Sequence, residues 1–222
     1  MRFRRVPAGA HAVAEIAFTN RADGDFHIDR ADDDLRQHVF DGPWTWLRQV
    51  HGARVAVVDS FGAKAGDEGD AAVTGLLDAV LCVQTADCVP VVLVGDGVVG
   101  VAHAGWRGLV EGVIPNAVEA LAALGGGFPI AMIGPCIRAA SYEFGEADLA
   151  LVEAAVGGPV RATTASGMPA LDMARATAHA LTTAGVVAID DLGIDTADEV
   201  YFSHRVRADE GRQVTAVRLV AS

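Results

Sequence analysis

The stretch ADCVPVVLVGDGVVGVAHAGWRG, residues 86–108, places a cysteine and a histidine at opposite ends of two valine-rich runs joined through Gly95, Asp96 and Gly97. A glycine-aspartate pair between such runs is a hairpin signal. With a turn centred on Gly95 and Asp96, Cys88 falls opposite His103, and antiparallel neighbours hold their Cβ atoms roughly 4.5–5.5 Å apart. A thiol and an imidazole at that spacing support two chemistries: a shared metal ion, or a thiolate nucleophile with a histidine base. QVHG supplies a third donor, His51, at a strand end beside Gly52. Three protein donors with an open fourth position are the arrangement of a catalytic zinc, whereas four mark a structural one. Spacing alone leaves both chemistries open.

AGWRG adds an anion-binding element. Gly105 and Gly108 bracket Trp106 and Arg107 where a strand turns into a helix, so backbone amides and a guanidinium face one mouth, which suits phosphate. Asp87 is an acid/base candidate if the chain turns there. Cys82, in AVLCVQ, and Cys136, after IGP, read as core. Tyr142 in YEFG reads as an aromatic core contact in preference to a purine-pocket wall.

The elements that must position these residues sharpen from Trp44 onward. WTWLRQVHGARVAVVDS reads as two short strands flanking His51 and Gly52, and GAKAGDEGDAAVTG as a loop. DAVLCVQT, PVVLVGD and GVVGVAHAG are three β-rich runs. RGLVEGVIPNAVEALAALGGG is helical, with Pro115 kinking or restarting it. FPIAMIGPCI is a buried strand, EADLALVEAAVGG and PALDMARATAHALTTAG are helices stopped by glycine, and EVYFSHRV and RQVTAVRLV are closing strands. Residues 1–43 carry the weakest periodicity, and RADDDLRQHVFDG reads as a solvated loop or short helix. Strands in runs mixed with helices give an α+β layered fold rather than βαβ alternation.

At 222 residues and 51% hydrophobic the chain can bury a substantial core, and its length favours one domain over 1–222. A net charge of −12, with 17 scattered Lys and Arg, argues against a nucleic-acid partner. The start, MRFRRVPAGAHAVAEIAF, breaks at Pro7, Gly9, His11 and Glu15, so it lacks a signal-peptide core, and no run approaches about 18 apolar residues. A cytoplasmic protein with no membrane partner is expected. Three cysteines, an odd count, point to free thiols or a metal site.

QVHG, TADCVPV, AHAGWRG, IGPCI and the late YFSHRV and GRQV resemble the YfiH family, also called the laccase-domain or multicopper polyphenol oxidase family, from about Trp44 onward. The resemblance implies a four-layer α/β/β/α fold with mixed sheets, and zinc held by His51, Cys88 and His103. It implies purine nucleoside phosphorolysis, with adenosine deamination and methylthioadenosine phosphorolysis at the same site. Members are also linked to editing of peptidoglycan precursors. The fold is similar to bacterial toxin deamidases, cysteine hydrolases whose Cys and His match Cys88 and His103, which keeps the nucleophile reading in play. Two departures stand out: FTNRADGDFHID keeps only Arg21 of the family's glycine-rich opening loop, and Pro115 interrupts a helix that members carry unbroken.

The leading reading makes Cys88, His103 and Asp87 catalytic, with Arg107 and the amides near Gly105 holding phosphate and Gln49 and Thr85 as secondary polar contacts. The partners are a small nucleoside and phosphate, and the protein is a monomer or homodimer. Ligand counting argues against the laccase label: a multicopper oxidase needs a His₂Cys centre plus a trinuclear cluster of further imidazoles. The chain has seven His, of which His11, His27 and His38 lie in the polar N-terminal region and His179 in an alanine-rich helix, leaving His204 as the one further candidate. Cu²⁺ would bind adventitiously, since it outcompetes Zn²⁺ at most nitrogen and sulfur sites. The alternatives are a Cys88–His103 amidohydrolase acting on cell-wall precursors and a zinc-stabilised binding module.

Overall fold

The computed structural model describes residues 1–222. In chain order the strands are β1 (Arg2–Pro7), β2 (Ala12–Phe18), β3 (Trp44–Trp46), β4 (Val55–Val57), β5 (Ala71–Thr74), β6 (Val80–Thr85), β7 (Val89–Val94) and β8 (Val99–Ala104). They continue with β9 (Ile130–Ile133), β10 (Arg161–Thr163), β11 (Pro169–Leu171), β12 (Ala188–Asp191) and β13 (Gln213–Ala221). The α-helices are α1 (Asp33–Gln37), α2 (Trp106–Glu111), α3 (Val113–Ala123), α4 (Glu146–Val156), α5 (Met173–Thr183) and α6 (His204–Arg207). No helix is long and apolar enough to cross a membrane.

The strands build two mixed sheets, ordered β1-β2-β13-β6-β3 and β12-β9-β7-β8-β5-β4, with β10 and β11 as a separate pair. Period-2 alternation sends the side chains of β7 to two different cores. Val92 and Val94 meet Ile16, Leu81, Val83, Val217 and Leu219 of the five-stranded sheet. Val91 and Leu93 meet Ile114 and Leu121 of α3, Leu149 of α4 and Met173 of α5. A sheet buried on both faces needs continuous apolar strands, which is why PVVLV and GVVGVA show no polar alternation. The outer face of the five-stranded sheet carries Ala17, Trp44, Val80 and Ala216, covered by Phe26, Val39 and Phe40. The result is the four-layer α/β/β/α arrangement, with a thin outer layer in which α1 is the only α-helix.

Several local expectations change. Residues 1–43 contain an antiparallel hairpin, β1 with β2, pairing Arg2 with Phe18 through Pro7 with Val13. The stretch read as a loop up to Gly75 contains β5, four fully buried residues. EVYFSHRV is not a strand: the Gln213 side chain accepts from Phe202 N–H at 2.8 Å and donates to its carbonyl at 3.2 Å, and Ser203 caps α6. The helix after AGWRG divides at Gly112, whose φ of 90° is the left-handed conformation that favours glycine. Pro115 sits in the first turn of α3, where its missing N–H is not needed, and the first closing bond is Asn116 N–H to Gly112 O at 3.1 Å. Gly112→Ala should therefore cost about 1 kcal/mol of stability, while Pro115→Ala should stay within about 0.5 kcal/mol, as read by urea denaturation.

Candidate metal and catalytic site

The site forms where the chain crosses between the sheets. The segment from β3 to β4 leaves the five-stranded sheet for the six-stranded one and carries His51, and the β6–β7 crossing carries Cys88. β8 contributes His103. The His51 Nε2 lies 3.8 Å from Cys88 Sγ, and the donor atoms of His51, Cys88 and His103 all fall within 4.8 Å of one another. The two imidazoles meet edge-on with ring centroids 4.9 Å apart.

The hairpin register differs from the expected one. The turn runs from Gly95 to Val98, closed by Gly95 N–H to Val98 O at 2.8 Å, so His103 pairs with Pro90 and Ala104 with Val89. Cys88 lies one step past the last rung, facing Gly105 and diagonal to His103. A Cβ on Gly105 would stand 2.7 Å from His51 Cδ2 and 3.3 Å from Cys88 Sγ, so only glycine lets the His51 ring lie there.

Sequence reasoning missed Asp70, which organises the cluster. Its side chain has no solvent exposure. Oδ1 accepts from His103 Nδ1–H at 2.8 Å and from His51 N–H at 3.0 Å, and Oδ2 accepts from Gly52 N–H at 2.8 Å and Val50 N–H at 3.2 Å. Burial works to raise its pKa, but the bonds from His103 and from the Gly52 and Val50 amides outweigh it and hold the carboxylate below its usual range. Because Nδ1 is engaged, the free nitrogen of His103 is Nε2. Burial likewise raises the Cys88 thiol, but the charge and hydrogen bond of His103, with a bond from His51, bring it below its ordinary value. Burial lowers His103, and the Cys88 charge and the Asp70 bond outweigh this and raise it. Cys82 and Cys136 have no such neighbours, and burial pushes both up to about 12, as core thiols should be.

A cleft of about 580 Å³ opens over the cluster. Asp87, Arg107, Gln49 and Thr85 all line it. The chain does turn at Asp87, whose φ is 94°, and its carboxylate is occupied: Thr196 donates its hydroxyl at 2.7 Å and Arg205 its N–H at 2.6 Å. The amide of Gln49 is spent on the backbone of Gln84, donating to its carbonyl and accepting from its N–H, both at 2.8 Å. Thr85 is buried with its hydroxyl unpartnered. Arg107 stacks on Trp106 at 4.2 Å. Arg21 is not at the cleft; it ties the N-terminal loop to Glu199 O, Tyr201 O and Asp209. Instead His27, Ile28 and Asp29 line the wall, as do His204 and Tyr142. Tyr142, expected in the core, rests against Phe144 at 5.3 Å and lies under the Arg205 guanidinium at 4.3 Å.

The chain as a whole is similar to known proteins. Residues 12–220 match the family described as multi-copper polyphenol oxidoreductase laccase. A purine nucleoside phosphorylase of Mycobacterium bovis is 40% identical over 178 residues, spanning 78% of this chain and 70% of the relative. Another, from Streptomyces coelicolor, is 46% identical over 136 residues, spanning 58% and 54%. Among solved structures, a Neisseria meningitidis protein superposes with a TM-score of 0.81 at 23% identity, covering 99% and 100% of the two chains. YlmD from Geobacillus stearothermophilus gives 0.80 at 25% identity, covering 97% and 94%.

Two outcomes follow from the geometry. Asp70→Asn and Gly105→Ala should each weaken metal binding by about tenfold or more, as measured by zinc titration against a competing chelator. In metal-free protein at neutral pH, iodoacetamide should modify Cys88 and spare Cys82 and Cys136 until the chain is unfolded, as read by peptide mass spectrometry.

Proposed function

The chain belongs to the multi-copper polyphenol oxidoreductase laccase family, and from that premise we propose a zinc-dependent purine nucleoside phosphorylase, which also deaminates adenosine and phosphorolyses methylthioadenosine at the same site. Nucleoside and phosphate are the substrates. The cytoplasm is the proposed compartment, consistent with three free cysteines. The observation that carries the reading is the His51, Cys88 and His103 donor group opening onto an arginine-lined cleft, and the names of the relatives support it.

The donor chemistry fits zinc. Bond lengths of about 2.3 Å to sulfur and 2.0–2.1 Å to nitrogen put two donors of a tetrahedral ion about 3.6 Å apart, and Cys88 Sγ stands 3.8 Å from His51 Nε2. A bound zinc would supply a Lewis acid that polarises a substrate oxygen or activates water. The chain's own residues do the rest. Asp70 fixes the His103 tautomer and the His51 loop. Arg107 holds phosphate beside the Gly105 turn. Trp106 and Tyr142 offer aromatic surface to a base. Burial, the largest influence on Tyr142, pushes it up to about 12, so its hydroxyl stays protonated and serves as a donor. Asp87, with both oxygens engaged, braces the Cys88 turn. The donor group offers three ligands to one ion, which supports a mononuclear site over the additional trinuclear cluster that a multicopper oxidase needs.

One observation favours a second reading. The donor atoms of Cys88 and His103 lie within 4.8 Å of each other, and Asp70 orients the imidazole through Nδ1, an arrangement that suits a cysteine nucleophile with an oriented base. That reading makes the protein an amidohydrolase of cell-wall precursors.

Adenosine incubated with zinc-loaded protein should yield adenine only when phosphate is present, and inosine by deamination, and Cys88→Ala should yield neither. Arg107→Ala should raise the KM for phosphate by about tenfold. Amide hydrolysis that persists in chelator and in His51→Ala, with no nucleoside turnover, would replace the phosphorylase by the cysteine hydrolase.

A further inference from the structure

Four arginines line the cleft, Arg48, Arg107, Arg205 and Arg212, and none is paired with a carboxylate. The Arg48 and Arg107 guanidiniums make no protein hydrogen bond. Arg205 donates to Glu143 O at 2.6 Å, and Arg212 to Glu210 O at 2.9 Å and Gly211 O at 2.8 Å. Away from the cleft, nine arginines, Arg21, Arg138, Arg161 and Arg207 among them, hold Asp or Glu, and three, Arg2, Arg4 and Arg54, do not. The chain has 29 acidic residues against 17 basic ones, so uncompensated guanidiniums gathered in one cleft point to an anionic ligand. Of the carboxylates on the lining, Asp87 is occupied by Thr196 and Arg205 N–H, and Asp29 stands on the rim with its side chain 71% exposed.

The four come from two sides. Arg48 follows β3 and Arg212 precedes β13, the strands that flank β6 on either side. Arg107 lies in α2 and Arg205 in α6, stacked on Trp106 and Tyr142. Inorganic phosphate on Arg107 leaves the pair on the sheet side without an anion. We infer that the cleft takes a purine nucleoside 5′-monophosphate, its phosphomonoester held by Arg48 and Arg212. The inference rests on the phosphorylase reading for the base and for the second phosphate. Turnover would then form a bond from an inorganic phosphate oxygen to C1′ as the C1′–N9 bond breaks. The electron pair goes to the purine, which takes the proton released by the attacking phosphate, and the products are free base and ribose 1,5-bisphosphate. A cleft of about 580 Å³ is within the size range of small-molecule sites.

The test is calorimetric titration of the zinc-loaded protein with adenosine 5′-monophosphate and with adenosine at one fixed ionic strength, beside product analysis in phosphate. The monophosphate should bind about tenfold or more tightly than adenosine. Arg48→Ala should remove most of that ratio, and Arg48→Lys, which keeps the charge, should retain part of it. Arg48 is exposed and its side chain bonds to nothing, so these variants should fold. Equal affinity for the two probes, or a preference that survives Arg48→Ala, overturns the inference. If adenosine is phosphorolysed without any preference, the inference falls and the phosphorylase stands. Preferential binding lost in Arg48→Ala, with no adenine from either probe, upholds the nucleotide site and overturns the phosphorylase.

Discussion

A carboxylate closed off from water must find its hydrogen bonds within the protein, and Asp70 finds four: the N–H groups of Val50, His51 and Gly52, and Nδ1–H of His103. Breaking a buried charge pair from one side costs about 3–5 kcal/mol, so the β3–β4 loop and strand β8 cannot drift apart without stranding that charge. The same bonds hold His51 at a φ of 60°, a left-handed conformation that side chains other than glycine seldom adopt. One residue thereby fixes both imidazoles of the donor group, the first by its backbone and the second by its ring.

The two-sheet architecture supplies the rest. The sheets pack face to face through Leu81, Val83, Val92 and Val101, and the segments passing between them must turn at the sandwich edge. His51 and Cys88 lie on such crossings. Gln49 stitches one to β6 by a side-chain amide that imitates a strand rung. Asp87 anchors the other to Thr196 and Arg205, with its own carbonyl accepting from Ile137 N–H at 2.9 Å. Two of the three candidate donors are thus carried on bends whose backbone is held from several directions.

The donor group was legible in the sequence because Cys and His are scarce and the β7–β8 hairpin is strongly patterned. Its register was off because the turn is centred on Asp96 and Gly97, one residue later than the Gly-Asp pair suggested. Asp70 was not legible: it is one acid among several in GDEGDAAVTG, and only the fold shows that it alone is buried. β5 was hidden for a related reason, since four buried residues beginning with two alanines carry no alternation. β1 is an edge strand with five of its six residues exposed, so it has no apolar face to read. EVYFSHRV misled in the opposite direction. Its aromatics look like a strand, but Tyr201 and Phe202 are buried anchors of a turn whose backbone bonds to a side chain.

The position of β13 bears on how the molecule is made. It lies in the middle of the five-stranded sheet, between β2 and β6, yet it follows every other element in sequence. During synthesis the six-stranded sheet, complete at Asp191, has all its strands before β13 emerges. Until then β2 and β6 present open edges, templates for pairing with another nascent chain. Closure of the sheet that carries β6 into Cys88 is therefore a late, long-range event: Val214 bonds to Thr19 across 195 residues of sequence. A ribosome that stalls shortly before residue 213 leaves a chain with most of its hydrophobic core and two strand edges still open.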